Sequence, residues 1–234
     1  MVSNLKKADC FPPAKTYLLK EMETKDTTYS EDQWIRWMDE LAINDYVIAD
    51  SFISEEMFRS IMNFFYEKEQ GNQLQKAGIG SSGEFQLNAS IRGDFIHWLD
   101  RERDSELGSF FGLMDELIES LRRHFFMSLS GSEFHIAKYP EGSHYDRHLD
   151  RFNERSNRQI TVLIYLNEYW KKGDGGELKI YKDDKEILVE PLARRILLFK
   201  SDVVEHEVLT TNIPRYSLTG WLLHQPATVG YLFR

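Results

Sequence analysis

Apolar positions recur at helical spacing in the first 127 residues and at strand spacing through most of the remainder. Ser30 stands before Trp34, Trp37, Met38 and Leu41, an i, i+3, i+4, i+7 stripe that predicts a capped amphipathic helix. Tyr46 to Ala49 reads as a strand. Ser54-Glu-Glu opens a second helix through Met57, Ile61 and Phe65, with acidic residues at its positive end. The periodicity then vanishes from Gly71 to Ser90, where Gly, Ser, Asn and Gln dominate. A loop that long inside a compact domain signals a functional lid or a disordered patch. Phe110, Met114, Leu117, Leu121 and Phe125 predict a long third helix, followed by a turn over Ser128 to Ser132.

Beyond that turn the pattern becomes one of short strands, at 133–139, 144–149, 159–167, 177–181, 187–190, 194–200, 205–210 and 214–223. Gly173 to Gly176 and Asn212-Ile-Pro214 supply turns between them. About eight such strands suggest a jelly roll, whose mouth can hold a small site, with the helices packed outside. The expected class is α+β, mostly β, a double-stranded β-helix with N-terminal supporting helices. Residues 31–234 form one domain in this reading, with helical support over 31–127, a jelly-roll core over 133–223, and a polar arm over 1–30 before it. There is no internal repeat.

Composition narrows the chemistry. With 234 residues, 41% hydrophobic and 13% aromatic, the chain can bury one sizeable core and is too apolar for wholesale disorder. No run approaches the roughly 20 apolar residues needed to cross a bilayer. No apolar signal-like segment opens the chain, so a cytoplasmic location and no membrane partner are expected. A net charge of -9 disfavours a broad phosphate-binding face, and nucleic acid is not an expected partner. Cys10 is the one cysteine, which excludes an internal disulfide and a cysteine-based zinc site. A metal, if held, falls to histidine and carboxylate.

Several motif matches carry nothing. Gly78-Ile-Gly-Ser-Ser-Gly83 fits a dinucleotide fingerprint without the strand before it or the helix after it. Asn88-Ala-Ser and Arg92-Gly-Asp are uninformative tripeptides in this setting, and His206-Glu207 lacks the second histidine of a helical zinc-protease motif.

The informative stretch is Tyr139-Pro-Glu-Gly-Ser-His-Tyr-Asp-Arg-His-Leu-Asp150. A single His-x-acid match is expected about once by chance in a chain of this composition. Here two overlap, His144-x-Asp146 and His148-x-Asp150, and on a strand residues i and i+2 share a face, so either pair can offer an imidazole and a carboxylate to one ion. A solvated, charged strand face is the plain alternative for either pair alone. His206 follows 56 residues after Asp150 on a later strand, and Arg215 nine residues beyond that, in an otherwise apolar and aromatic strand. Two histidines and one carboxylate on one face of an octahedron leave three positions open, which suits Fe(II) oxygen chemistry. A guanidinium facing into a barrel is costly unless an anion meets it, and its rigid fork matches a carboxylate. A small dicarboxylate is the implied ligand, and the phenol of Tyr165 is placed to add a hydrogen bond.

These residues resemble those of the 2-oxoglutarate- and Fe(II)-dependent dioxygenases, and within them the prolyl hydroxylases that modify hypoxia-inducible factor and their bacterial relatives. The similarity spans roughly residues 45–223. It rests on Ile91-Arg-Gly-Asp-Phe-Ile-His-Trp98, Tyr139-Pro, Tyr145-Asp-Arg-His-Leu-Asp150, Ile164-Tyr-Leu-Asn-Glu-Tyr-Trp170, Gly175-Gly-Glu-Leu-Lys-Ile-Tyr181, Arg195-Ile-Leu-Leu-Phe-Lys-Ser201, His206-Glu-Val208 and Arg215-Tyr-Ser-Leu-Thr-Gly-Trp221. Because ligands of the family follow Tyr-x-Arg, the resemblance selects His148 and Asp150 and implies iron on His148, Asp150 and His206. It places the distal carboxylate of 2-oxoglutarate on Arg215 with Tyr165 assisting, and Tyr139 elsewhere on the co-substrate. It implies that Asp94 pairs with Arg158 beneath a finger loop over 72–93 that covers a peptide substrate, and that Trp98, Tyr145 and Trp221 line the site. Arg151-Phe152 departs from the small polar-Pro turn of the animal enzymes.

The function so implied is hydroxylation of a prolyl residue in a target protein by 2-oxoglutarate and O2, giving succinate and CO2, with ascorbate as an accessory reductant. A bacterial relative acts on elongation factor Tu, which makes that protein the first candidate partner. The rival expectations are a hydroxylase of a free amino acid or other small molecule, and a non-catalytic sensor of 2-oxoglutarate.

Overall fold

A computed structural model of the chain describes residues 28–78, 92–151 and 157–224. Helices α1 (Glu31–Asn44), α2 (Glu55–Gln70) and α3 (Gly108–Phe125) form where the apolar spacing predicts them. The Ser30 hydroxyl accepts from the Gln33 amide at 3.3 Å, and the Ser54 hydroxyl from the Met57 amide at 3.0 Å. Each satisfies an N–H that the first turn of its helix leaves free. α3 has no such cap but carries Arg122, Arg123 and His124 in its last turn, against the negative end of the helix.

Eleven strands lie among the described residues: β1 (Tyr46–Ala49), β2 (Gln75–Lys76), β3 (Phe95–Trp98), β4 (Gly131–Tyr139), β5 (Tyr145–His148), β6 (Arg158–Tyr165), β7 (Leu178–Lys182), β8 (Lys185–Val189), β9 (Ile196–Lys200), β10 (Glu205–Val208) and β11 (Arg215–Leu223). The eight expected strands are β4 to β11, each end within two residues of its predicted position. A seven-stranded antiparallel sheet, ordered β1-β9-β6-β11-β4-β3-β2, faces a four-stranded one, ordered β5-β10-β7-β8. From β4 to β11 the chain crosses back and forth between the sheets and stays in the smaller one only for the β7-β8 hairpin. That is the winding of a double-stranded β-helix. The segment from Gly71 to Ser90, expected as one loop, contains β2, while 79–91 lies outside the described residues, as do 1–27 of the arm and Phe152. Among the described residues, no helix is long and apolar enough to cross a membrane.

The central strands β6, β9 and β11 of the large sheet are buried on both faces, and their alternation sorts side chains into two cores. Ile160, Val162 and Ile164 of β6, Ile196 and Leu198 of β9, and Leu218 and Leu222 of β11 pack against the three helices. Their neighbours Leu163, Tyr165, Leu197 and Phe199 turn the other way, toward Leu178, Ile180 and Val189 of the small sheet. Two-sided burial is why β6 reads as a continuous apolar run and not as strict alternation. The second core is the floor of the barrel.

Gly220 sets how closely β11 lies on β4. A Cβ there would sit 2.1 Å from Phe134 Cδ1 and 2.3 Å from the Glu133 carbonyl oxygen. Gly220→Ala is expected to destabilise the fold by about 1–3 kcal/mol through overpacking. A lowered urea midpoint checks this, and an unchanged midpoint contradicts the close approach.

Candidate active site

His148, the last residue of β5, lies directly opposite His206 of β10. Facing residues on antiparallel strands have Cβ atoms about 5 Å apart, and here the ring centroids are separated by 4.3 Å. Asp150 lies two residues past His148, beyond the end of the strand, and reaches both rings. Its Oδ1 is 3.5 Å from His148 Nε2, and its Oδ2 is 3.8 Å from His206 Nε2. The donor atoms of all three lie within 4.8 Å of one another, and all three residues are buried.

Their surroundings prepare them as ligands. His148 Nδ1 meets the Asp146 carbonyl at 2.7 Å, and His206 Nδ1 meets the Val204 carbonyl at 3.1 Å. With Nδ1–H donated to backbone, each ring keeps its Nε2 lone pair for the shared point. Asp150 Oδ2 accepts from the Thr161 hydroxyl at 2.7 Å, and Thr161 is held in turn by Ser201 at 2.9 Å. Burial pushes His206 down to about 4, with Asp150 pulling the other way, so the ring is neutral at physiological pH. Burial alone would raise Asp150, but His206, His148 and the Thr161 hydroxyl hold its carboxyl well below the usual carboxylate range. A neutral imidazole and an ionised carboxylate are the forms that bind a divalent metal. The overlapping pair has another fate. The His144 and Asp146 side chains are 36% and 55% exposed at the surface, 3.3 Å apart.

Arg215 opens β11 opposite Tyr139, the last residue of β4. It is 1% exposed. Its Nε donates to the Gly176 carbonyl at 2.8 Å, and its guanidinium lies 4.9 Å from the Tyr139 ring and 5.2 Å from that of Tyr165. Gly176 has φ +76°, and a Cβ there would come 2.9 Å from Arg215 Cδ, so glycine is what admits the arginine. Burial pushes the Tyr165 hydroxyl up to about 12, Arg215 opposing, and keeps it a donor. Arg215 Nη2 and Tyr165 Oη are buried without a hydrogen-bond partner among the described residues. Two orphaned donors, one of them cationic, are what the distal carboxylate of a dicarboxylate would satisfy. The donor set therefore fits both iron and 2-oxoglutarate.

The cavity holding the three ligands and Arg215 is also lined by Tyr139, Tyr145 and Trp221. Tyr145 stacks on His148 at 3.8 Å, with Arg92 above it at 4.8 Å. Trp98 stands at the rim, 44% exposed, 6.2 Å from Trp221. The expected Asp94–Arg158 pair is not formed. Asp94 is fully buried and takes Arg92 bidentately at 2.6 and 2.8 Å. Arg158 instead reaches across β11, over the Trp221 ring at 3.4 Å, to Glu133 of β4 at 2.8 Å. The register explains this: β11 lies between β6 and β4, and Trp221 faces Glu133 directly. Thr161, Ser201, Arg92 and His135 were not legible as site residues; the period-two spacing of Arg215, Ser217, Thr219 and Trp221 marks the inward face of β11, and only the register brings His135 and Thr161 level with it.

A metal-ligating face in such a barrel, with a caged arginine on the opposite sheet, defines the class of non-haem iron oxygenases that consume a 2-oxo dicarboxylate. The model of the 2OG-Fe(II) oxygenase superfamily matches residues 134–223. A Pseudomonas putida prolyl-4-hydroxylase is 31% identical, with a TM-score of 0.76 over 82% of this chain and 100% of that one. A Trichoplax adhaerens prolyl hydroxylase, solved with a hypoxia-inducible-factor oxygen degradation domain peptide fragment, is 27% identical with a TM-score of 0.74 over 86% and 96%. An α-ketoglutarate-dependent epimerase of nogalamycin biosynthesis is 10% identical with a TM-score of 0.60 over 85% and 88%, and shares the fold alone. The chain belongs to the 2OG-Fe(II) oxygenase superfamily and is an Fe(II)- and 2-oxoglutarate-dependent dioxygenase.

Two outcomes follow from the ligand geometry. Thr161→Val removes the hydroxyl that orients Asp150 and is expected to weaken Fe(II) binding about 10- to 100-fold by titration; unchanged affinity would leave the hydroxyl without a role. In the metal-free protein, His206 at about 4 lies below its ordinary 6.5, so between those values the unfolded chain binds a proton that the folded one does not. Stability is therefore expected to fall as pH is lowered from about 6.5 to about 4. Urea midpoints across that window check it, and a flat profile contradicts a buried neutral ring.

Proposed function

We propose that this dioxygenase hydroxylates a prolyl residue in a target protein, in the cytoplasm, converting 2-oxoglutarate and O2 to succinate and CO2. The observation that carries the reading is the likeness to two prolyl hydroxylases over nearly their whole length, one of them solved with a peptide. The aromatic wall of Tyr145, Trp221 and Trp98 on the open side of the ligands supports it.

In this reading His148, Asp150 and His206 hold the iron, which supplies the oxygen activation that couples decarboxylation of the co-substrate to hydroxylation. Arg215 and Tyr165 fix the distal carboxylate, and Tyr139 packs beside it. Leu163, Leu178, Phe199 and Val208 exclude water around it. Ascorbate serves as an accessory reductant. Elongation factor Tu is the first target to try.

The test is incubation with Fe(II), 2-oxoglutarate and elongation factor Tu, then a lysate, seeking by mass spectrometry one added oxygen on proline. Succinate formation stimulated by a small metabolite, with no oxygenated protein, would overturn the prolyl reading. Asp150→Ala is expected to abolish succinate formation. Arg215→Ala is expected to raise the KM for 2-oxoglutarate about thirtyfold or more, as when one partner of a buried charge contact is lost; an unmoved KM contradicts its place on the co-substrate.

A further inference from the structure

Four buried side-chain polar atoms lack a hydrogen-bond partner among the described residues: Tyr165 Oη, Arg215 Nη2, His135 Nδ1 and Trp221 Nε1. The first two would be met by the distal carboxylate of the co-substrate. The other two line the same cavity, and nothing described so far meets them. Their rings lie 5.5 Å apart. A buried polar group left unpaired is costly, so the pair marks a place where a ligand belongs.

Their position on the sheet says which ligand. His135 lies opposite Thr219, four residues along β11 from Arg215, and Trp221 is two further. At about 3.3 Å per residue their Cα positions lie about 13 and 20 Å along the strand from that of Arg215. Trp221 is level with Thr161, whose hydroxyl holds Asp150. The pair therefore stands at the metal-ligand end of the inward face, away from the end where Arg215 anchors the co-substrate, and that is where the other reactant would sit.

Chemistry narrows the group further. The indole N–H only donates, so the ligand brings an acceptor. Burial first, then Arg92 and Arg158, keep the His135 imidazole well below its ordinary pKa, so the ring is neutral and, in the tautomer with its N–H on Nδ1, has one donor to give. A carbonyl oxygen has two lone pairs and can take both donors. The nearby cations are already matched, Arg92 by Asp94 and Arg158 by Glu133. A neutral amide oxygen therefore suits the place better than a free carboxylate. Trp98, 4.8 Å from His135, adds an apolar wall.

We infer that His135 Nδ1 and Trp221 Nε1 together bind one amide carbonyl oxygen of the substrate, as positioning residues that select peptide-bonded proline over the free amino acid. The inference rests on the prolyl reading for its substrate, but its first test needs no turnover. In the protein loaded with Zn(II) and 2-oxoglutarate, the Trp221 indole 1H–15N signal is identified by its loss in Trp221→Phe. Titration with N-acetylproline methylamide is expected to move it downfield, and titration with free proline is not. No movement with the amide, or equal movement with proline, overturns the carbonyl site.

The second test uses whichever prolyl peptide the native enzyme turns over. His135→Leu is expected to raise the peptide KM about tenfold, the loss for one unpaired buried donor, while the KM for 2-oxoglutarate moves less than about twofold. His135→Asn, which can present an amide N–H near the Nδ1 position, is expected to recover most of it. Native turnover of a peptide with an unchanged KM in His135→Leu overturns this inference and leaves the prolyl reading standing. If the native enzyme hydroxylates no peptide, the prolyl reading falls, and the indole signal still decides the carbonyl site.

Discussion

A β-strand can serve two cores only if its odd and even positions answer to different solvents, and the large sheet is built on that division. One face of β6, β9 and β11 is packed against α1, α2 and α3. The other looks into the barrel, where the same strands carry Leu163, Tyr165, Phe199, Arg215 and Trp221. The helical face bears the stability, so the inner face is free to hold groups that a packed interior would otherwise reject. A slip of one residue in the register of β11 would send Arg215 into the helical core and Leu218 into the cavity. Gly220, pressed against Phe134, helps hold that register.

The barrel interior is rich in charge, and nearly every charge is matched within the chain. Asp150 has two imidazoles and a hydroxyl, Asp94 has Arg92, and Glu133 has Arg158. Arg215 is different. One backbone carbonyl, a long contact to Ser217 and two aromatic rings surround a full positive charge that is 1% exposed. The specificity of the co-substrate pocket lies in that incompleteness, because an anion of the right reach satisfies what the protein leaves open.

The strands β4 to β11 and the three helices were legible because turn residues punctuate apolar runs at the right spacing and serines cap two of the helices. β3 was not, since Phe95 to Trp98 is largely exposed and takes its strand form from pairing with β4. The two His-x-Asp pairs match the same pattern, and residues alone left both open. What separates them is that His148 falls opposite His206 while His144 lies before the strand begins. The Asp94–Arg158 pair, implied by the resemblance, failed because each partner has a nearer counter-charge, Arg92 two residues from Asp94 and Glu133 across β11 from Arg158. His135 gave no signal, as one histidine in an apolar strand looks like any other core residue until its unpaired nitrogen is seen.

The metal ligands and the co-substrate ligands come from different sheets. His148 and His206 are on the small sheet, with Asp150 just past β5, whereas Arg215, Tyr165 and Tyr139 are on the large one. A molecule touching both groups would bridge the two layers of the sandwich, beside the Thr161–Asp150 hydrogen bond that already ties the large sheet to the metal ligands. The relative placement of the two sheets, and not either sheet alone, therefore sets the span between the metal-ligand and anion-binding ends of the cavity.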